Sequence, residues 1–404
     1  MRSYDHVIVG AGSVGSQIFH HLAASHAGSV LALEQFTPAY SRTAVGGDTR
    51  LFRLAYAEGL DYQPILNEAL VQWNALNEAS GRSVYERTGC HYIGPADSDY
   101  MTSLRENTAA AGIDCISLDA GEFSREHPQH RLSPDDTILH DPAGGFLRTD
   151  LAVQTAMDLG RAHGGEVEQC RRILRISRFA SGGFVLSTDH EAFHAGDVII
   201  AAGAWSAPLL SQPLADLVEV RRIALTWFGT ARPDLFSPSA FPVFKRVTPG
   251  IDLYGAPSVD GTQIKVTLAE SWPAASADSI AQSLQADERD RVTRAVDAGL
   301  NFVSPGIVRC DAFPELFTAD HVPLIGRDPD TGAYLALGFS GKGFKMSAGI
   351  GSLVAREVLA PGSAPLAFAS PQRFLSAAVE VPVGLRPASH QTYSQRHHKH
   401  EGEP

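Results

Sequence analysis

The chain of 404 residues carries 33 Lys plus Arg against 45 Asp plus Glu, a formal net charge of −12, which excludes a broadly basic face for nucleic acid or an anionic membrane. Its four cysteines, Cys90, Cys115, Cys170 and Cys310, form no CxxC pair, so neither a disulfide framework nor a zinc site is expected. No apolar run approaches the roughly 20 residues of a membrane helix and no signal-like segment opens the chain, so a cytoplasmic protein of two domains is expected.

"YDHVIVGAGSVGSQIFHHLAASHAGSVLALEQF" (4–36) reads as strand, glycine loop, helix and strand. Gly10, Gly12 and Gly15 form GxGxxG, with Ser13 and Val14 between them at the start of the helix. Glycine permits the tight turn and a close backbone approach, and the helix N-terminus offers unpaired N–H groups to a pyrophosphate. Glu34, at the end of the second strand, suits ribose hydroxyls. A dinucleotide site is the expectation.

"GGDTRLFRLAY" (46–56) places Arg50 and Arg53 three apart, read as near neighbours in a helical turn and suited to fork-like binding of a carboxylate. Helices are predicted over 63–80, 99–112 and 150–163. In "HAGDVIIAAGAWSAPLL" (194–210) an apolar strand runs into Ala201, Ala202 and Gly203, followed by Trp205; the small residues let the backbone pass close to a dinucleotide. Residues 218–266 are β-branched and aromatic runs broken by Pro, Gly and Asp, which predicts an inserted antiparallel sheet. There Lys265 stands inside an apolar β run, where burying a lysine is costly without a use or a partner. A helix over 286–303 follows, then a strand, the glycine-rich turn Gly338, Gly341 and Gly343, and a closing helix. The end of the chain is polar and unpatterned; His397, His398 and His400 are read as part of a solvated tail, and no metal is expected.

These residues resemble the FAD-dependent amine oxidases that include monomeric sarcosine oxidase and N-methyltryptophan oxidase. The resemblance spans roughly residues 1 to 370 and rests on the glycine fingerprint with Glu34, "GGDTRLFRLAYAEGLDY", "VIIAAGAW", "YGAPSVDGTQIKV" and "GFSGKGFKMSAGIG". It implies an α/β fold, a glutathione-reductase-type FAD-binding Rossmann domain (1–82, 150–216, 320–370) with an antiparallel-sheet substrate domain (83–149, 217–319) and a C-terminal extension, 371–404. By resemblance Arg50 lies against the flavin, Arg53 and Lys345 clamp the substrate carboxylate, and Tyr254 lines the pocket. Lys265 faces the flavin from the opposite side and promotes reaction with oxygen. Thr49, Ala202, Gly203, Trp205, Gly341, Gly343 and Phe344 fall in the cofactor motifs, and Val167 matches a residue whose backbone meets the adenine.

The sequence departs from the pattern at four places. Relatives attach FAD through a cysteine where this chain has Phe313, Cys310 lying three residues too early, so non-covalent FAD is expected. Glu315 stands where relatives carry tyrosine or arginine, and would welcome a cationic or amine-bearing substrate. Ala269 stands where the resemblance has a pocket histidine and Gly46 where it has a histidine near the flavin, which implies a wider pocket. The expectation is therefore a monomeric oxidase of a secondary amine or N-methyl amino acid bulkier than sarcosine, using O2 and releasing H2O2. An NAD-dependent dehydrogenase would share the glycine fingerprint but leaves the Ala-Ala-Gly return and the Lys345 loop unexplained. A flavin-binding module acting on RNA is opposed by the acidic charge.

Overall fold

The computed structural model describes residues 2–179, 182–364 and 366–374. The first strand, Arg2–Val9, pairs in parallel with Val30–Leu33 on one side and with Ala192–Ile200 on the other. Glu166–Glu168 extends the sheet beyond Val30–Leu33, and Tyr334–Leu337 joins the C-terminal end of Ala192–Ile200, again in parallel. Antiparallel strands complete the eight. The central strands are buried on both faces, which is why they read as unbroken apolar runs instead of alternating. One face packs against the helices Ser13–Ala24, Thr149–Ala162 and Gly343–Leu359, through Ile18, Phe19, Met157, Ile350 and Leu353. The helix Gln63–Ser80 lies on the last of these.

The sheet predicted at 218–266 is larger than its own segment. Val218–Thr230, Val243–Thr248, Ile251–Ala256 and Gln263–Leu268 are joined by Cys90–Pro95, Asp136–Asp141 and Ile116–Leu118, and by the long strand Val303–Thr318, which pairs with Val218–Thr230 along most of its length. Behind it sits a core of Phe228, Phe236, Phe241 and Phe244, closed by the helix Ala286–Gly299. That helix stops four residues short of the predicted end. Leu300 is extended (φ −133°, ψ 146°), because the chain must turn into the long strand that begins at Val303.

The helical turn expected at Arg50 and Arg53 is a strand. Thr49–Phe52 pairs antiparallel with Gly145–Arg148, which is flanked by Tyr85–Arg87, and this partner a hundred residues away overrides the local spacing. Within a strand, residues three apart face opposite sides. Arg53 lies one residue past the strand end, where the chain turns, and so both arginines reach the same cleft.

Among the described residues no helix is long and apolar enough to cross a membrane. No group of three His, Cys, Asp or Glu there is arranged to hold a metal. Pro371–Phe374 forms a short turn; the rest of the polar tail, with His397, His398 and His400, lies outside the described residues.

Candidate active site

A cleft of about 600 Å³ runs along the carboxyl ends of the central parallel strands and continues beneath the second sheet. At its nucleotide end the three fingerprint glycines do different work. A Cβ on Gly10, whose φ is +95°, would stand 2.6 Å from the Ala201 carbonyl, and one on Gly15 would stand 1.8 Å from the Gly10 carbonyl. These two let the turn, the helix and the returning strand close on one another, and Gly15 does not line the cleft. A Cβ on Gly12 would meet only the Val45 side chain, at 3.9 Å, and otherwise enter the cleft. The helix Ser13–Ala24 starts there with no side-chain cap and no acid in its first turn, leaving the N–H groups at Ser13 and Val14 for an anion.

Glu34 is buried at the cleft wall, its carboxylate accepting from the Ala11 N–H at 2.8 Å and the Phe36 N–H at 2.9 Å. Burial raises its pKa and those donors oppose the rise. Ala202 and Gly203 line the opposite wall with Trp205, whose ring edge meets Phe36 and whose indole donates to Asp278 at 2.6 Å. Val167 stays outside the cleft, its backbone paired with Ala32; Arg172 and Ile173 line that end instead. The spare room at Gly12, the uncapped helix and the oriented Glu34 together fit the phosphates and ribose of FAD.

Further along, the Arg50 guanidinium donates to the carbonyls of Thr49 (2.9 Å) and Ala44 (3.0 Å) and lies over the rings of Phe313 and Phe344. Burial pulls its pKa down. Opposite it, Gly338 and Gly341 take left-handed conformations and deliver the chain into the helix Gly343–Leu359, which also starts without a side-chain cap and presents its N-terminus to the cleft. Gly343 is needed where Phe339 would stand 2.8 Å from a Cβ. A helix N-terminus here favours the negative charge that reduced flavin carries. Thr49 and Lys265 do not line the cleft. The buried Lys265 ammonium donates to the carbonyls of Gly47 (3.3 Å) and Thr49, and burial, then Arg50, pushes its pKa far down.

Phe313, which the resemblance matches to the attaching cysteine, occupies the cleft wall. Cys310, three residues away on the same strand, falls on the opposite face, close to Arg222 and Glu288, and burial raises its thiol pKa. This strand does not bring Cys310 to the cleft.

At the far end Arg53 donates to Tyr100 Oη and to Glu58 Oε1, both at 3.1 Å. Burial opposes its charge, but Glu58 leads the groups that hold its pKa up. Lys345 bonds the Lys342 carbonyl at 3.2 Å, and burial, then Arg53, lowers its pKa to about 7. Tyr254, pushed up to about 12 by burial, and Glu315 line the same space, as does Ala269; Gly46 does not. Glu58, Tyr100 and the ion pair of Lys245 with Asp252 were not singled out by the sequence reading. Lys245 carried the signal that marked Lys265, a lysine within an apolar β run, "FPVFKRV".

The sequence profile of the family described as FAD dependent oxidoreductase (DAO) matches residues 5–357. Monomeric sarcosine oxidase of Streptomyces avermitilis is 26% identical over 382 residues, covering 93% of this chain and 99% of that protein. N-methyl-L-tryptophan oxidase of Salmonella typhi is 29% identical over 374 residues, covering 87% and 94%. Among solved structures, the open form of NikD, an unusual amino acid oxidase essential for nikkomycin biosynthesis, superposes with a TM-score of 0.80 at 20% identity, covering 92% of this chain and 98% of that one. Glycine oxidase from Geobacillus kaustophilus gives 0.76 at 18% identity, with the same coverage.

Proposed function

Because the chain belongs to the family of FAD-dependent oxidoreductases, we propose that it is an oxidase of a secondary amine or N-methyl amino acid, holding its FAD non-covalently. The observation that carries this reading is one continuous cleft. Its nucleotide end fits FAD, and its other end brings the buried Arg53 together with the partly buried Lys345. FAD held by the turn at Gly12, the uncapped helix Ser13–Ala24 and Glu34 would supply the redox chemistry, an acceptor for two electrons from the substrate and their return to O2.

The protein's own part is binding and orientation. Arg53 offers a planar fork and Lys345 a second cation to the substrate carboxylate, and the two fix which C–H bond faces the flavin. Glu58, already on Arg53, keeps this cluster from accumulating unbalanced positive charge before substrate arrives. Sarcosine and N-methyl-L-tryptophan are the substrates in the names of the two relatives. Ala269 at the wall, where relatives have histidine, supports a substrate larger than sarcosine. The domain division and monomeric state expected from the sequence accompany this proposal, with 1–82, 150–216 and 320–370 as the flavin unit and 83–149 and 217–319 as the substrate unit.

The test is anaerobic mixing of the FAD-loaded protein with sarcosine, N-methyl-L-tryptophan and a set of other N-methyl amino acids. Bleaching of the flavin absorbance, followed by peroxide and aldehyde on admitting air, is expected. Bleaching by none of them would remove the reading.

A further inference from the structure

Five carboxylates line the cleft, and four are committed. Glu34 is held by two backbone N–H groups, Glu58 by Arg53, Asp252 by Lys245, and Glu270 by both nitrogen arms of Arg291 at 3.1 and 3.2 Å. Glu315 differs: among the described residues it forms no ion pair and no hydrogen bond to another side chain, and the Gly341 N–H is the backbone group that acts on its charge. It stands on the strand Val303–Thr318 between Phe313 and Phe317, which line the cleft on either side of it. Arg50 is engaged by the Thr49 and Ala44 carbonyls, so a carboxylate here with spare lone pairs can take a substrate ammonium as a charge-assisted partner.

We propose that Glu315 is the group that accepts the proton a substrate ammonium must lose before its neighbouring C–H bond is oxidised. This inference rests on the amine-oxidation reading above. An α-ammonium group has no lone pair to stabilise the cation that forms as hydride leaves, so the neutral amine is the reactive species. In the step proposed, the substrate N–H bond breaks and an O–H bond forms on Glu315. The ammonium becomes a neutral amine and the carboxylate a neutral acid, with no change of oxidation state.

The surroundings suit that exchange. Facing Glu315 are Arg50 from the strand Thr49–Phe52, Tyr254 from Ile251–Ala256, and Lys345 and the Gly341 N–H from the turn and helix after Gly338. Arg221, directly across the sheet, is engaged by Glu219 and Ser271. Burial raises the proton affinity of Glu315, and Arg50, the Gly341 N–H and Lys345 oppose the rise. Tyr254 is a poor acceptor with its pKa near 12, and Lys345, near 7, is the competing one.

The experiment is flavin reduction by N-methyl amino acids, followed by stopped flow from pH 5 to 10 in wild type, Glu315→Gln and Glu315→Asp. Glu315→Gln is expected to slow reduction at pH 7 by roughly 10²- to 10⁴-fold. The deficit should shrink toward alkaline pH, where bulk water deprotonates the amine, and Glu315→Asp should restore part of the rate with an acidic limb in its profile. A second readout needs no turnover. Binding of 2-aminoisobutyrate, which has no α-hydrogen to lose, should produce the infrared C=O stretch of a protonated carboxyl in wild type, shifted in Glu315→Asp and absent in Glu315→Gln. A Glu315→Gln profile parallel to wild type overturns the inference and leaves the oxidase reading intact, as does a wild-type spectrum without the band. A wild-type flavin that no amine reduces overturns both.

Discussion

The Lys265 ammonium and the Arg50 guanidinium donate to the same acceptor, the carbonyl of Thr49. Two donors share one backbone oxygen, and after burial itself Arg50 is the group that most lowers the Lys265 pKa. The loop that carries the shared carbonyl is pinned from both sides: Lys265 also holds the Gly47 carbonyl, and Arg309 grips Asp48 at 3.1 Å. The lysine expected to serve oxygen chemistry is therefore also what orders the loop in front of Arg50.

Lys265→Met separates these two jobs. Loss of an oxygen-directed charge predicts that reoxidation of reduced flavin by O2 slows by roughly 10²- to 10³-fold while reduction by substrate changes only a few-fold. Loss of the loop tether predicts that both half-reactions suffer, with a stability loss of about 1–3 kcal/mol for the two hydrogen bonds removed, the Thr49 carbonyl keeping Arg50 and the Gly47 carbonyl keeping the Thr49 N–H. Measuring the half-reactions separately by stopped flow distinguishes the two, and reoxidation at the wild-type rate would show that Lys265 takes no part in the reaction with oxygen.

Substrate binding should depend on pH through Lys345. Its pKa is lowered to about 7, so the ammonium is present below that pH and is lost as pH rises through it. Affinity for propionate, a carboxylate without the amine, is therefore expected to weaken from pH 6 to pH 9. Bound carboxylate itself favours the ammonium, so the weakening should begin above 7. Titration by flavin difference absorbance gives the dissociation constant at each pH. Lys345→Met should bind weakly and without this dependence, whereas a wild-type constant that stays flat across the range would place the ammonium elsewhere in the complex.

What the sequence made legible was local. The fingerprint from Gly10 to Glu34 is a single βαβ unit whose determinants lie within 25 residues, and its glycines and acid fall where such a unit requires them. The strand at Thr49–Phe52 was not legible, because its pairing partner, Gly145–Arg148, is nearly a hundred residues away and two arginines three apart also suit a helix. Glu58 and Lys245 escaped for a related reason. Each matters through a neighbour, Arg53 or Asp252, that only the folded chain identifies as facing the cleft. The orientation of Cys310 needed only the period of a strand, once Val303–Thr318 is known to be one.

Two glycine substitutions three residues apart in the fingerprint should give contrasting phenotypes. Gly12→Val puts its side chain into the open cleft, with Val45 its only near neighbour, so a folded protein with sharply reduced FAD content is expected. Gly15→Ala drives a methyl into the Gly10 carbonyl at 1.8 Å, which forces the helix off the turn and is expected to lower the melting temperature of the apoprotein. Flavin absorbance per protein and thermal melts of the apoproteins check the pair. A Gly12→Val protein retaining full flavin would mean that the phosphates lie away from this turn.

The last prediction concerns retention of the cofactor. Asp278 lies in the segment between the short strand Ser271–Pro273 and the helix Ala286–Gly299, yet it reaches the nucleotide side of the cleft, accepting from the Trp205 indole and pairing with Arg172. The Arg172 pair is exposed and contributes little; the indole bond to a carboxylate is the stronger contact. Together they strap the two walls across the space where the adenosine half would enter, so breaking the strap should act on the rate of release more than on the rate of entry. Asp278→Asn keeps an acceptor for Trp205 but loses the charge, and Asp278→Ala loses both. Release of FAD, read as the gain in free-flavin fluorescence after dilution, is expected to quicken by about fivefold in Asp278→Ala, corresponding to about 1 kcal/mol, and by less in Asp278→Asn. Equal release from all three proteins would show that Trp205 holds its place through Phe36 alone, and that the strap is a surface contact.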